Sequence, residues 1–366
     1  MQAKIIATGC ILFSLMLPSE ALAADFSKLY VFSDSISDTG NVFNATIVGN
    51  RLDPTISIDP PSPPYFDGRY SNGPVGVDYI ASDLGLTLIP SAELAVGSPI
   101  TVTPNGEFGV NFFFNGATTT QSVNFAFGGA QTGLENVSDS RLPGILREIQ
   151  AFRDDLELFN QSADPNALYV VWAAGSNDYS SGTFREPTIP VENIARGVTS
   201  LYEAGARNIL VPNVSDLGKT PLNLSRGPDI SNALTQLSQA HNSNLAITLN
   251  DLEQTLAGVN IISLDVASLF QEAIANPTEF GFTNVTEPCL DPATSTICPN
   301  PNEYLFWDNV HPTAATHAVL GEFANSALKA EAVPEPSDKV GLVLGTITVG
   351  LLLRSKRQGK RFHGRK

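Results

Sequence analysis

Tyr30-Val31-Phe32-Ser33-Asp34-Ser35-Ile36-Ser37-Asp38-Thr39-Gly40-Asn41 decides the fold. An apolar, strand-like run from Leu29 to Phe32 stops abruptly in small polar residues. In an open α/β sheet, ligands and chemistry collect at the carboxyl end of the first strand. Two readings of these residues stand side by side. Asp34 and Ser35 are an N-cap that starts a helix, or Ser35 sits on a tight turn, open to solvent, as a nucleophile. The flanking chain supplies the context that separates them.

Strand and helix patterns alternate outward from this stretch. Residues 122–127 read as a second short strand ending in Gly128-Gly129-Ala130. Residues 142–159 carry apolar side chains at helical spacing (Ile145, Ile149, Phe152, Leu156). Residues 167–174 are continuously apolar, as a central strand covered on both faces requires, and end in Gly175-Ser176-Asn177-Asp178. Further strands are predicted at 208–211 and 260–264, and further helices at 75–84, 190–204, 229–256, 266–275 and 313–329. Alternation of this kind implies a parallel sheet with helices on both faces. The expected fold is α/β: a three-layer α/β/α sandwich around a doubly wound, mostly parallel, five-stranded sheet, occupying residues 25–330 as one domain. Residues 42–74, rich in Pro, Gly, Asn and Asp, read as a long surface loop on the rim of a cleft. Asn105-Gly106 and Asn115-Gly116 read as hairpin turns. Phe108, Phe112, Phe113 and Phe114 between them are either hairpin core or an apolar wall for an acyl chain.

The chain has 366 residues, 42% hydrophobic and 16% charged, with a formal net charge of -16. A body this acidic argues against a nucleic-acid partner. Both ends read as targeting segments. Residues 1–23 have an early Lys4, an apolar run and Ala21-Leu22-Ala23, the pattern of a secretory signal cleaved before Ala24. Residues 331–366 contain Val333-Pro334-Glu335-Pro336, an apolar run from Val340 to Leu353 and a basic tail. That order resembles the PEP-CTERM sorting signal. The resemblance implies transient membrane contact through this segment, processing by an exosortase-like protease, and export to the cell surface or extracellular matrix. An ordinary C-terminal anchor is the alternative. Cys10 lies in the signal, so Cys289 and Cys298 remain as an even pair, which in an exported protein reads as a disulfide.

Three strand ends thus carry Ser35, Gly128-Gly129 and Asn177, the parts of an acyl-transfer site lacking only a base. There are four histidines. His363 is in the basic tail, and His241 and His317 lie inside predicted helices. His311 stands in a loop three residues after Asp308, a spacing at which a carboxylate can fix the imidazole tautomer. With the base supplied, the set resembles the GDSL lipases and esterases, also called SGNH hydrolases. Ser33-Asp34-Ser35-Ile36, Asn124-Phe125-Ala126-Phe127-Gly128-Gly129-Ala130, Gly175-Ser176-Asn177-Asp178 and Asp308 with His311 match that family's blocks in order. Gly68-Arg69-Tyr70-Ser71-Asn72-Gly73-Pro74 and Asn208-Ile209-Leu210-Val211-Pro212-Asn213 are similar to its phospholipase-like, plant lipase-like and acyltransferase-like branch.

The resemblance implies an exported serine ester hydrolase acting on lipid or acyl esters. Ser35 is the nucleophile, His311 the base, Asp308 its orienter, and the oxyanion hole comes from Ser35, Gly129 and Asn177. It implies no metal and no cofactor. Ser33 stands where the family has Gly, and a Cβ there would crowd the turn if that position needs positive φ. An inactive surface module that binds polysaccharide or lipid is the rival expectation.

Overall fold

Strand β1 (Leu29–Ser33) is buried along its whole length. Its side chains alternate between faces as a pleated strand must: Tyr30 and Phe32 enter one apolar cluster, Leu29 and Val31 the other. In this computed structural model, which describes residues 26–331 apart from 103–107, 174, 181, 183–184 and 292, β1 is central in a six-stranded sheet. The others are β2 (Leu88–Pro90), β3 (Ser122–Asn124), β4 (Leu168–Trp172), β5 (Asn208–Pro212) and β6 (Asn260–Leu264). The spatial order is β2-β3-β1-β4-β5-β6, and every neighbouring pair is parallel. Leu29 to Ser33 face Leu168 to Trp172 residue for residue. From β1 the chain first builds toward β3 and then returns to β4 on the other side. The carboxyl end of β1 is therefore the topological switch point, where open α/β sheets leave a crevice.

The sixth strand is one more than the expected five. Leu88–Pro90 is three residues long and ends in Pro, which only an edge position tolerates. It is too short to carry a period.

Helices cover both faces. α1 (Asn41–Leu52) and α2 (Gly76–Asp83) precede β2. α3 (Ile145–Leu158), α4 (Thr188–Ala204) and α5 (Pro228–Thr255) pack Ile149, Phe152, Val198, Leu201 and Leu245 onto Tyr30, Phe32 and Tyr169. α2, α6 (Val266–Ala275) and α7 (Ala314–Glu331) pack Val77, Ile80, Leu269, Phe270 and Leu320 onto Leu29, Val31 and Trp172. This is the expected three-layer sandwich.

Helix α1 corrects the expectation of an unbroken loop over 42–74. Its start is held by a residue outside it: Asp38 Oδ1 accepts the N–H of Gly40 and of Asn41, at 2.8 and 2.6 Å, and Oδ2 accepts that of Val42. Asn115 and Gly116 do take left-handed backbone, but they lead into a 3-10 turn (Ala117–Thr119), not a hairpin. A hairpin does join Ile100–Val102 to Phe108–Val110, while Asn105-Gly106 lies outside the described residues. The expected signal at 1–23 and, past residue 331, the expected sorting segment at 331–366 also lie outside them. Among the described residues no helix is long and apolar enough to cross a membrane.

Candidate active site

The turn after β1 is built by Asp34. Its carbonyl accepts the N–H of Ser37 and Asp38, and its Oδ1 accepts the N–H of Ile36 at 3.0 Å. Asp34 therefore closes the turn, which leaves Ser35 half-buried at the switch point with its side chain free for another partner. That partner is His311: Nε2 lies 2.9 Å from Ser35 Oγ. On its other edge, His311 Nδ1 lies 2.7 Å from Asp308 Oδ2. Asp308 Oδ1 accepts the N–H of Val310 at 2.9 Å and of His311 at 2.8 Å, so the loop wraps around its own carboxylate. With Nδ1–H donating to the carboxylate, Nε2 is left as an acceptor facing Ser35. The three side chains, 276 residues apart in sequence at the extremes, form one hydrogen-bonded line.

Electrostatics favour that polarity. Burial resists the charged imidazolium, but Asp308 beside it, with Asp34 and Asp59 farther off, holds His311 above the ordinary imidazole value. Burial likewise resists the Asp308 carboxylate. The His311 charge and the hydrogen bonds from His311 and Tyr65 overcome it and keep Asp308 below the usual carboxylate range. The other two described histidines are engaged elsewhere. His241 Nδ1 meets the Tyr179 hydroxyl at 2.6 Å and burial pushes it down to about 4. His317 Nδ1 accepts the Gly76 N–H at 3.1 Å and burial pushes it down to about 3.

The loop after β3 is clamped by buried acids. Glu148 on α3 accepts the Phe127 N–H at one oxygen and the Ser33 N–H at the other, both at 3.0 Å. Asp38 accepts the Gly128 N–H at 2.9 Å. Gly129 then turns through φ +83, and a Cβ there would collide with Ser138 and Asn136. Asn177, on the short helix Ser176–Ser180, donates from Nδ2 to the Ala130 carbonyl at 2.9 Å. Asn124 binds the Ser37 carbonyl, and Asn41 binds the carbonyls of Asn124 and Ala126, so the first two motifs are stitched together. Among the described residues, no acceptor is found for the backbone N–H of Ser35 or of Gly129.

Ser35, Gly129, Asn177 and His311 all line one cavity of about 210 Å³. Beside them its wall combines apolar side chains (Ile36, Trp172, Val266, Phe270, Phe306, Leu320) with polar ones such as Ser138, Asn213, Thr220 and Asn223. The phenylalanines at 112–114 do not reach it. Phe112 packs on Phe127, Phe114 packs edge-on to Phe125 at 5.7 Å, and only Phe113 is exposed, at 47%. Of the two readings, Phe112 and Phe114 take the core one, and other residues line the cavity.

Ser33 does not crowd the turn. Its backbone stays in the strand, outside the left-handed region, and its hydroxyl donates to the Trp172 carbonyl at 2.8 Å. Cys289 and Cys298 are disulfide-bonded, Sγ–Sγ 2.06 Å, and pack with Trp307, Leu290, Tyr65 and Tyr304 next to Asp308. Among the described residues, no group of three His, Cys, Asp or Glu could hold a metal ion. Sequence reasoning passed over Asp38, Asn41, Glu148 and Tyr65. Of these only Glu148 left a readable signal, as a charge on the apolar face of a predicted helix.

Residues 29–324 match the family described as GDSL-like Lipase/Acylhydrolase. One GDSL esterase/lipase of Arabidopsis thaliana is 28% identical over 356 residues, covering 83% of this chain and 86% of its own length. A second is 27% identical over 329 residues, covering 84% and 83%. Among solved structures, the aryl esterase of M. smegmatis aligns at TM-score 0.40 and 13% identity, over 83% of this chain and 98% of its own. A carbohydrate acetylesterase from Sinorhizobium meliloti aligns at TM-score 0.41 and 14% identity, over 83% and 99%.

Proposed function

The chain belongs to the GDSL-like lipase/acylhydrolase family and is a GDSL-type esterase, and on that premise we propose that it cleaves acyl esters through Ser35, His311 and Asp308. The observation that carries the reading is the unbroken line from Ser35 Oγ through the imidazole to Asp308 Oδ2. In the proposed cycle His311 Nε2 takes the Ser35 proton as Oγ attacks the ester carbonyl. Asp308 stabilises the imidazolium without taking its proton. The N–H groups of Ser35 and Gly129 and the amide of Asn177 receive the developing oxyanion, a donor set in which each member typically supplies about 3 kcal/mol. His311 then protonates the leaving alcohol, and water, activated by the same imidazole, releases the acyl group from Ser35.

The apolar part of the cavity lining supports an acyl chain running along Trp172, Phe270 and Leu320. The rival reading of an inactive module rested on Ser33, and the hydrogen bond of that residue to the Trp172 carbonyl supports the active reading. Export is part of the proposal. The signal at 1–23 and the PEP-CTERM-like segment at 331–366 support delivery to the cell surface or matrix through signal peptidase and an exosortase-like protease. A disulfide in the catalytic domain fits an oxidising compartment.

The test is turnover of p-nitrophenyl esters of graded chain length. Ser35→Ala and His311→Ala should each lose at least about a thousandfold in kcat with fold retained. Ser35→Ala within tenfold of wild type would overturn the nucleophile. Rates that rise from acetyl to medium chains support the acyl wall. Rates that fall steadily from acetyl onward would overturn it while leaving ester hydrolysis intact.

A further inference from the structure

Asp308 Oδ2 receives two side-chain donors, and only one of them is His311. The other is the phenol of Tyr65, whose hydroxyl donates at 2.7 Å, the same distance as His311 Nδ1. Tyr65 comes from the segment between α1 and α2, more than 240 residues before Asp308, and no other part of the proposed mechanism uses it. We propose that Tyr65 is a positioning residue of the catalytic line: by sharing Oδ2 with the imidazole, its hydroxyl fixes where the Asp308 charge sits and so sets the basicity of His311. The inference rests on the reading of Ser35, His311 and Asp308 given above.

The hydroxyl is aimed by packing. The Tyr65 ring stands edge-on to Trp307, centroids 6.3 Å apart at 85°, and Trp307 is the buried residue directly before Asp308. On its other side the ring meets Tyr70 at 6.3 Å. The backbone is held too: the Tyr65 N–H donates to the Pro61 carbonyl, and Ser62 Oγ donates to the Tyr65 carbonyl at 2.6 Å. The disulfide Cys289–Cys298 belongs to the same apolar cluster. The phenol keeps its proton, because burial and the Asp308 charge both push it far above its ordinary value. With both backbone donors on Oδ1 and both side-chain donors on Oδ2, the carboxylate is satisfied at each oxygen.

The chemical consequence follows from charge sharing. When His311 carries the serine proton, Nδ1–H pulls on Oδ2. A second donor on that oxygen withdraws electron density from it, so the carboxylate grips the imidazolium less tightly. The imidazolium stays acidic enough to hand its proton to the leaving alcohol. Without the phenol, Oδ2 holds more charge, the imidazolium is stabilised further, and His311 is protonated to higher pH. The other titratable groups facing His311 are Asp34 and Asp59, His317, and Tyr70, whose ring lies 5.1 Å from the imidazole. Tyr70 is bonded to Asp59 at 2.6 Å. Asp59 and Tyr70 also interact with Tyr65, whereas Asp34 and His317 do not, so the proton resonance of the His311–Asp308 bond is the readout that isolates the effect on Oδ2.

The experiment measures kcat, KM and the pH profile of kcat/KM for the full chain and for Tyr65→Phe, on one p-nitrophenyl ester. The proposal expects the acidic limb to move up by about half a pH unit or more. It expects kcat to fall about tenfold, a fraction of what a general base contributes, and KM to stay within twofold. The downfield proton resonance of the His311–Asp308 bond should shift in the same variant, a readout independent of turnover. Tyr65→Met, which keeps apolar contact with Trp307 but has no donor, should reproduce both effects. A limb and a proton resonance unchanged in folded Tyr65→Phe would overturn the role of Tyr65. Ser35→Ala and His311→Ala run alongside: if they retain activity, the underlying triad reading fails, whereas if they are dead and Tyr65→Phe matches wild type, the Tyr65 inference alone fails.

Discussion

Ser33 is the residue at which a family resemblance and the physics of one chain part company. Where the resemblance implies Gly, this chain puts a side chain at the buried end of β1. The hydroxyl uses the position: it crosses to the Trp172 carbonyl on the adjacent strand, while the Ser33 N–H goes to Glu148. Strand register makes this possible, since Ser33 and Trp172 are direct partners. Restoring glycine would remove a buried hydrogen bond, a net contribution of about 1 kcal/mol, and add the backbone entropy of Gly in a strand, about 0.5–1 kcal/mol. Ser33→Gly should therefore lose about 2 kcal/mol in a denaturant titration, with kcat/KM on a p-nitrophenyl ester within about threefold of wild type. A tenfold gain in kcat/KM would mean instead that the serine acts as a brake on the turn.

At the scale of elements, α3 does more than cover the sheet. Ile145, Ile149 and Phe152 lie on its buried face, and Glu148 lies among them with no exposure. Its two oxygens tie the end of β1 to the loop after β3, the two segments that supply Ser35 and Gly129. Glu148→Ala strands two buried N–H groups, each worth about 1–3 kcal/mol when left unmade. The expected result is a loss of about 3–5 kcal/mol and a fall in melting temperature of roughly 10 °C, at about 2–4 °C per kcal/mol. A melting temperature within 2 °C of wild type would show that the clamp holds nothing. The α3 period was readable in the sequence, and the charge at position 148 on its apolar face was the visible mark of this clamp. The strands β1, β4, β5 and β6 were equally legible, because burial on both faces makes an apolar run. So was the juxtaposition of Ser35, His311 and Asp308, since each follows a strand or lies in a loop. Other features had no local signature. The start of α1 is held by Asp38 from outside the helix, β2 is three residues paired by register alone, and Tyr65 meets Asp308 only through tertiary folding. The phenylalanine run left two readings open for the same reason: its apolar character is real, and only the fold shows that Phe112 and Phe114 pack against the core and not into the cleft.

The whole molecule gathers acids at one sheet edge, and this sets a stability profile that opposes its activity profile. Burial raises Asp34, Asp38 and Asp178 to about 6 and lifts Glu148 well above its ordinary value. A carboxyl whose folded value lies above its unfolded value binds its proton preferentially in the fold, so each of these four stabilises at low pH; the three aspartates lose that contribution as pH rises from about 4 through 6, and Glu148 loses its own as pH rises above its ordinary value. His241 and His317 work the other way. Their folded values, about 4 and about 3, lie below the unfolded value of 6.5, so stability is lost as pH falls below 6.5. Carboxylates held low, Asp308 and Asp265 among them, act only below their ordinary value of 3.8. Between roughly pH 4.5 and 6 four carboxyls therefore oppose two imidazoles, and the fold takes up protons on balance. Acidification also relaxes the self-repulsion of a chain with net charge -16 and an isoelectric point near 4.6. Calorimetry should find a higher melting temperature at pH 5 than at pH 7.5. Ester turnover should fall over the same interval, because His311, held above the ordinary imidazole value, is protonated at pH 5 and cannot accept the Ser35 proton. A melting temperature lower at pH 5 than at pH 7.5 would mean that the two buried imidazoles, and not the acids around the end of β1, govern the response of the fold to protons.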